Sequence, residues 1–190
     1  MTEGRATFPI EPWSLTEVGL DHSSLGVHES VFALTNGHIG MRGSFEEGEP
    51  VVVPGTYLNG FFEERPLPYA EVGYGFPEQG QTMVNVTDGK LIRLLVGDTP
   101  LDLDYGEIIE HRRTLDLRRG LVTTTATFTA GGRVTRLAYE VTLDRARARV
   151  GLVRLRLTPS WSGRLQVRDV LGLAPADGLL VHAVQPDGAA

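Results

Sequence analysis

Strict alternation of apolar and polar residues is the feature that most narrows what this chain can fold into. Across its middle and C-terminal parts the chain is rich in β-branched residues, and successive side chains of a strand point to opposite faces of a sheet. The pattern predicts a succession of antiparallel strands, each with one buried and one exposed face. The predicted strands lie at residues 90–96, 108–117, 121–129, 133–143, 149–157 and 163–170.

The strand at residues 121–129 shows the alternation most clearly, because one phase is apolar apart from Thr124 and the other consists of threonines after Leu121. In the next two strands, arginines alternate with aliphatic residues in the same way. The residues expected to face the core are Val122, Thr124, Ala126, Phe128, Leu137, Tyr139, Val141, Val153, Leu155 and Leu157.

Turn signals separate these strands at short intervals, since Gly supplies the positive φ that tight turns need. Short antiparallel strands with polar outer faces and regular turns are typical of a β-sandwich. We therefore predict an all-β, antiparallel β-sandwich without a convincing helix. The turn dipeptides are Asp88-Gly89, Gly97-Asp98, Arg119-Gly120, Gly131-Gly132, Ser162-Gly163 and Asp187-Gly188.

A further hairpin is predicted nearer the N-terminus. The Asn36-Gly37 pair joins the apolar residues 31–34 to a second run through Ile39 and Met41. Asn-Gly favours a type I′ turn, in which both central residues have positive φ. We expect the two runs to pair across this turn.

Composition excludes several classes of protein. The chain has 190 residues, a formal net charge of −6 and no cysteine. An acidic chain with scattered arginines does not fit a nucleic-acid backbone, and disulfides are excluded. No apolar run is long enough to span a bilayer, and the N-terminus lacks the pattern of a secretory signal. These observations predict a cytoplasmic protein that contacts neither nucleic acid nor membrane.

Three segments resemble the start of family 65 glycoside hydrolases and phosphorylases. They are FALTNGHIGMRGSFEE at residues 32–47, GTYLNGFF at residues 55–62 and HRRTLDLRRG at residues 111–120. The resemblance implies a supersandwich of the galactose-mutarotase-like type. It also implies a lead-in segment at residues 1–24 and a sandwich at residues 25–190. Thr123 to Thr125 stand where the family usually has an Arg, which leaves the subfamily open.

The resemblance also implies a function. Family 65 enzymes invert the anomeric centre of α-linked glucosides such as trehalose, maltose, kojibiose or nigerose, either with inorganic phosphate as co-substrate or with water. Their catalytic acid lies in a later (α/α)6 barrel, so no catalytic residue and no cofactor are expected in this chain. The expected partners are that downstream barrel, a second copy in a homodimer and, through the whole enzyme, the disaccharide.

The end of the chain carries its own expectation. Residues 179–184 have the pattern of another strand, and the sequence stops a few residues later. We expect a sandwich that is incomplete at its C-terminus, with unpaired edges that make the isolated chain poorly stable or prone to self-association.

Carboxylates and histidines give no catalytic or metal signature. Adjacent glutamates in loops are usually solvated, so Glu46-Glu47, Glu63-Glu64 and Glu110 are interpreted as surface charge. The histidines at 22, 28, 38, 111 and 182 lack the spacing of metal ligands, and we expect no metal site.

The best functional candidate is a long aromatic loop at residues 57–80. Loops of this length usually have a function or pack against another domain or subunit, and aromatic residues provide large contact areas. The loop is expected to pack on the barrel or a second subunit near the sugar pocket, or else to cap the core of the sandwich. The candidate interdomain or substrate-proximal residues are Asn36, Arg42, Tyr57, Asn59, Phe61 and Phe62.

Two other function classes fit a β-sandwich. A stand-alone carbohydrate-binding module would need an exposed aromatic platform, whereas Trp13 and Trp161 are far apart in sequence. A purely structural domain requires only good packing surfaces and is compatible with the family resemblance.

Overall fold

Antiparallel strands make up most of the regular structure in a computed structural model that describes residues 6–48, 53, 55–71, 73–102 and 106–169. The helical elements in this part are a 3-10 turn at His22–Ser24 and helix α1 at Leu25–Val31. The strands are β1 (Ile10–Glu11), β2 (Ser14–Val18), β3 (Leu34–Thr35), β4 (Ile39–Met41), β5 (Thr56–Pro66), β6 (Gln79–Asn85), β7 (Ile92–Val96), β8 (Thr99–Pro100), β9 (Glu107–Asp116), β10 (Leu121–Ala130), β11 (Arg133–Leu143), β12 (Gly151–Pro159) and β13 (Leu165–Asp169).

The largest sheet has six strands in the order β1-β2-β9-β10-β11-β12. Its long strands β9 to β12 are joined by consecutive hairpins, and their bounds lie within two residues of the predicted ones. The predicted alternation is confirmed, since Val122, Phe128 and Tyr139 are buried while Arg154 and Arg156 are exposed. Thr127 is also buried, next to an irregularity in the pairing of β9 with β10.

Two smaller sheets pack side by side on the inner face of the six-stranded sheet. Ile92, Leu94 and Leu101 of the β13-β7-β8 region contact the part of the inner face that carries Phe128 and Leu137. The β3-β4-β5-β6 sheet supplies a second cluster in which Ile39, Met41 and Leu143 meet. The predicted antiparallel β-sandwich is confirmed, with the core lying between the large sheet and the two small ones.

The N-terminal part differs from the sequence-based expectation in its helix. Residues 25–31 form α1, although no helix was predicted. A seven-residue helix is too short to be stable by propensity alone, so its pattern is weak in sequence. Tertiary contacts hold it: Leu25 is buried, and the Arg42 guanidinium donates to the Gly26 carbonyl and the Ser30 hydroxyl.

Strands β1 and β2 lie within the predicted lead-in segment, and β2 pairs with β9. The segment before residue 25 therefore contributes to the large sheet. The division at that residue stays a prediction.

The predicted Asn-Gly hairpin exists, but its turn is of a different kind. Strands β3 and β4 pair as expected, with Leu34 opposite Met41. Only Gly37 has a positive φ, and the Asn36 side chain instead accepts hydrogen bonds from the backbone amides of His38 and Ile39. The two positive φ angles expected of a type I′ turn occur at Gly131-Gly132, between β10 and β11.

The aromatic segment predicted as a long loop is mostly a hairpin. We call β5 and β6 beyond Asn59, with the connection between them, the arm. Phe62 pairs with Met83 and Pro66 with Gln79, after an irregularity that contains Gly60. Gly and Pro suggested a loop here, but they lie at the irregularity, the strand end and the tip.

The strand predicted at residues 179–184 lies outside the described residues. Within the described ranges, none of the helices has the length and apolar character needed to cross a bilayer.

Candidate functional site

A row of polar side chains crosses the inner face of the six-stranded sheet. Glu17 on β2 is paired with Arg113 on β9, which in turn lies opposite Thr124 on β10, and Thr124 lies opposite Tyr139 on β11. The register therefore places all four on one face, and all four are buried. A charged row inside a sandwich is costly unless its groups are compensated, so its surroundings decide its role.

Residues 44–48 cover part of this row, and we call them the cover segment. The Ile92 amide donates to the Glu46 carbonyl at 2.7 Å, which ties the segment to β7. The Lys90 ammonium donates to the Ser44 hydroxyl and carbonyl at 2.6 and 2.9 Å. Phe45 is buried and lies edge-on to the His111 ring. The cover segment is thus part of the core.

Arg113 is the cation at the centre of the site. Its guanidinium lies 5.1 Å from the ring centre of Phe32 and 4.7 Å from that of Phe45, and it donates to the Gly43 carbonyl at 2.7 Å. Cation–π contacts and a backbone carbonyl replace part of the hydration that the guanidinium loses on burial. Its charge also lies within electrostatic reach of the Glu17 and Glu47 carboxyls.

Glu46 and Glu47 are the main correction to the sequence-based interpretation. They were expected to be solvated, yet they are only 4% and 6% exposed. Burial, followed by the charge of Glu46, raises the pKa of Glu47 to about 8. Glu63 and Glu64 are exposed, as expected, although they lie on β5 and not in a loop. Gly43 packs tightly against Phe32, and the absence of a side chain there lets the chain pass Phe32 into the cover segment.

Two histidines complete the cluster. His28 on α1 and Glu17 approach to 2.7 Å between Nδ1 and Oε1. Burial raises the pKa of Glu17, although Arg113 and His28 lower it. His111 has its Nδ1 3.0 Å from the Gly19 carbonyl oxygen, and burial, assisted by Arg113, lowers the pKa of His111 to about 4. His111 is therefore neutral at physiological pH and can donate to that carbonyl.

The residues of this cluster can bind protons, and their contacts fix the positions of the chain segments that meet there. The Tyr139 hydroxyl faces the Glu47 carboxyl without a hydrogen bond of good geometry, and Thr124 has an unpartnered hydroxyl beside it. In the described ranges, no group of three or more His, Cys, Asp or Glu side chains is arranged to hold a metal ion. Among the described residues, the buried row forms a closed polar core and not an open cleft.

The six predicted site residues lie on or beside strands β3 to β5 of one small sheet, and two of them are engaged in structural contacts. Asn36 donates from Nδ2 to the carbonyls of Asp144 and Ala148, which anchors the turn between β11 and β12. Arg42 holds α1 as described above and contacts Glu29, and its amide donates to the Gly55 carbonyl at 2.7 Å. Both side chains are engaged in structural contacts.

The other four predicted site residues lie along β5. Tyr57 is half-buried near the start of the strand, and the Asn59 amide donates to the His38 carbonyl at 2.7 Å. Phe61 and Phe62 are 43% and 44% exposed. Exposed aromatic residues on the arm remain a candidate surface, whereas the alternative expectation, that they cap the core of the sandwich, does not agree with their exposure.

Sequence reasoning missed the buried row, although one signal was present. His111 and Arg113 share the phase of buried Leu115 on β9, so two polar residues fall on an inward face. An inward-facing charge in a strand indicates a buried polar site. The positions of Lys90 and the cover segment depend on tertiary packing and have no comparable signal.

The two tryptophans do not form a platform. Trp13 lies at the end of the large sheet where its carbonyl accepts from the Leu117 amide, and Arg118 stacks on its ring. Trp161 lies at the opposite end, where its indole donates to Thr135. A flat aromatic surface for stacking sugars is not formed by these two residues.

Comparison with known families gives one match that covers most of the chain. Residues 15–177 match the family model described as glycosyl hydrolase family 65, N-terminal domain. A solved structure assigned as a kojibiose phosphorylase from the human microbiome superposes with a TM-score of 0.73 and 26% identity. The superposition covers 80% of this chain and 20% of that one.

Curated relatives are similar over part of their length. An uncharacterized glycosyl hydrolase of Mycobacterium tuberculosis is 62% identical over 116 residues, which is 61% of this chain and 15% of that protein. The α,α-trehalose phosphorylase of Thermoanaerobacter brockii is 42% identical over 119 residues, or 60% of this chain and 15% of the enzyme. A kojibiose phosphorylase of Caldanaerobacter subterraneus is 27% identical over 161 residues, which is 84% of this chain and 20% of that enzyme. The chain thus spans about 15–20% of the length of these relatives.

Proposed function

Because this chain belongs to glycosyl hydrolase family 65, as an N-terminal domain of that family, we propose that it is the non-catalytic part of an enzyme that cleaves an α-linked glucose disaccharide by phosphorolysis. The observation that carries the proposal is the 42% identity to a trehalose phosphorylase, which makes trehalose the first substrate to test and inorganic phosphate the co-substrate. Kojibiose is second, from relatives at 27% identity.

The distribution of carboxylates supports a non-catalytic role for this part. Cleavage of a glycosidic bond needs a carboxyl group with a tuned pKa in direct reach of the sugar. Glu17 and Glu47 have raised pKa values, but both carboxyl groups are buried in the core of the domain. Glu63 and Glu64 are accessible but lie on an exposed ribbon without an enclosing pocket. The reacting carboxyl is therefore assigned to the part of the enzyme beyond this domain.

Docking of the catalytic part is the proposed role of the arm. From Asn59 to Pro66 every residue of β5 is exposed, which means that both faces of the ribbon are free of the body of the domain. A two-stranded hairpin of this kind is only marginally stable in water. It nevertheless presents the Phe62–Met83 pair on one face, with Met83 52% exposed. An exposed apolar ribbon fits a surface that is covered in the whole enzyme.

A chimera tests both parts of the proposal. The corresponding N-terminal part of the T. brockii trehalose phosphorylase is replaced by this chain, and phosphate-dependent trehalose cleavage is measured. We expect turnover by the chimera and none by the 190-residue chain alone on trehalose, kojibiose or maltose. Cleavage by the chain alone would show that the active site was assigned to the wrong part.

The arm is tested within the same chimera. Phe62→Ala combined with Met83→Ala should lower turnover or separate the enzyme into dissociated or aggregated species. The matched control is Leu152→Ala, which removes an equally exposed apolar side chain from β12. Unchanged kinetics and assembly in the double variant would contradict a docking role. Titration of the chain with the same disaccharides tests the alternative of a carbohydrate-binding module, which measurable affinity would favour.

A further inference from the structure

The cover segment carries two adjacent buried carboxyl groups whose nearest cations are engaged elsewhere. Lys90 directs its ammonium hydrogen bonds to Ser44 and to the Asp88 carboxylate. In the described part of the chain, Arg113 donates to the Gly43 carbonyl and not to either glutamate. One carboxyl oxygen of Glu46 is buried without a hydrogen-bond partner.

Two ionised carboxylates cannot share this environment at low cost. Removing a carboxylate from water is strongly unfavourable, and a second negative charge beside it adds repulsion. The described groups that face Glu47 are Glu46 on the cover segment, Tyr139 on β11, Arg113 on β9 and Lys90 before β7. One bound proton removes the repulsion and supplies a donor toward the neighbouring oxygens.

We propose that the Glu46–Glu47 pair is a pH-sensitive lock: with one proton bound it holds the cover segment on the large sheet, and loss of that proton at alkaline pH releases the segment. Release breaks the bonds that the segment makes, which are Ile92 amide to Glu46 carbonyl and Lys90 to Ser44. It also exposes Phe45, which otherwise lies against His111 and Arg113.

The direction of the pH effect follows from the proton balance. The pKa of Glu47 is raised from 4.5 to about 8, so between these values the folded chain holds a proton that the unfolded chain has lost. Stability contributed by this proton is complete below pH 4.5 and is lost as the pH rises through about 8. Above pH 6.5 His111 is neutral in both the folded and the unfolded chain, so it adds no pH dependence to stability. The effect of Glu47 can therefore be measured between pH 6.5 and about 8.

Urea unfolding of the 190-residue chain at several pH values between 6.5 and 9 tests the lock. The unfolding equilibrium constant should rise by up to about tenfold per pH unit until about pH 8 and then level off. Glu47→Gln, a neutral group of the same shape, should remove the rise. Glu78→Gln removes an exposed carboxylate and should retain it.

Release of the segment itself is read by hydrogen exchange. After correction for the intrinsic exchange rate, amide protection at residues 45–48 should fall above pH 8 in the unaltered chain and persist in Glu47→Gln. An unchanged slope in Glu47→Gln, or protection that does not depend on pH, would overturn the proposal. If Glu47→Gln does not fold, glutamate carboxyls labelled with 13C are titrated in the unaltered chain. A titration above pH 7 assigned to Glu47 supports the lock, and a Glu47 that titrates below pH 7 contradicts it.

Discussion

The cover segment and the arm are close in sequence, and each departs from the usual rule that charged side chains are exposed and apolar side chains are buried. Residues 44–48 place two carboxylates in the core, whereas the arm places Phe61, Phe62 and Met83 in water. The buried carboxyl groups find partial electrostatic compensation in the charges of Arg113 and Lys90 of the same domain. The exposed aromatic residues find none in the described part of the chain. The first region has its contacts within this domain, whereas we propose that the second is covered by the catalytic part of the enzyme.

Replacing Arg113, the cation at the centre of the buried site, should destabilise the domain more than the changes considered next. Arg113→Met removes the charge that faces Glu17 and Glu47 and leaves both carboxyls buried without it. We expect a loss of about 3–5 kcal/mol in the free energy of unfolding, measured with urea. Arg112→Met is the matched control, because Arg112 lies on the exposed face of the same strand. Its expected effect is within about 0.5 kcal/mol.

The close packing at the start of the cover segment should give a smaller effect. A Cβ atom at Gly43 would lie 2.7 Å from the Phe32 Cβ and 3.0 Å from its carbonyl oxygen. Gly43→Ala should therefore destabilise the domain by about 1–3 kcal/mol through overpacking. Gly40→Ala is the control, since its nearest such contact is the Thr35 hydroxyl at 4.0 Å. Equal thermal stability of the two variants would contradict the packing described here.

At acidic pH the titration of His111 should also affect stability, although the titration of Glu47 opposes its effect. His111 has its pKa lowered from 6.5 to about 4, so its contribution to stability is lost as the pH falls between these values. Over most of this range the proton on Glu47 has the opposite effect. We expect Glu47→Gln to lose stability below pH 6.5 more steeply than the unaltered chain. Adding His111→Gln should flatten that fall, whereas adding the exposed His22→Gln should leave it unchanged.

The arm should show the smallest effect on the isolated domain. Phe62→Ala with Met83→Ala removes side chains that are already about half exposed, so the free energy of unfolding should change by less than about 0.5 kcal/mol. The same double change is expected to impair the chimeric enzyme. A large loss of stability in the isolated chain would show that the arm packs on its own domain, which would remove the contrast between the two regions.

Strand positions and inward faces could be predicted because a period of two is a local property of sequence. The predicted strands from β9 to β12 needed only that pattern and the turn dipeptides between them. The buried glutamates could not be predicted, since an adjacent pair is normally solvated and only the tertiary position of β7 and β9 buries it. Helix α1 and the arm were missed for related reasons. The first depends on Arg42, and the second is a strand pair with no core beneath it.

The irregularity at Gly60 separates a part of the domain in which substitutions change only the surface from a part in which they change the core. Between the Tyr57–Asn85 and Phe62–Met83 pairs, residues 58–61 interrupt the regular ladder of β5 with β6. Substitutions beyond this point change the surface of the arm without entering the core clusters. Changes in residues 44–48, by contrast, fall on buried side chains. Descendants of one sandwich can therefore change the surface of the arm at little cost to folding, while the buried cluster has little freedom to vary.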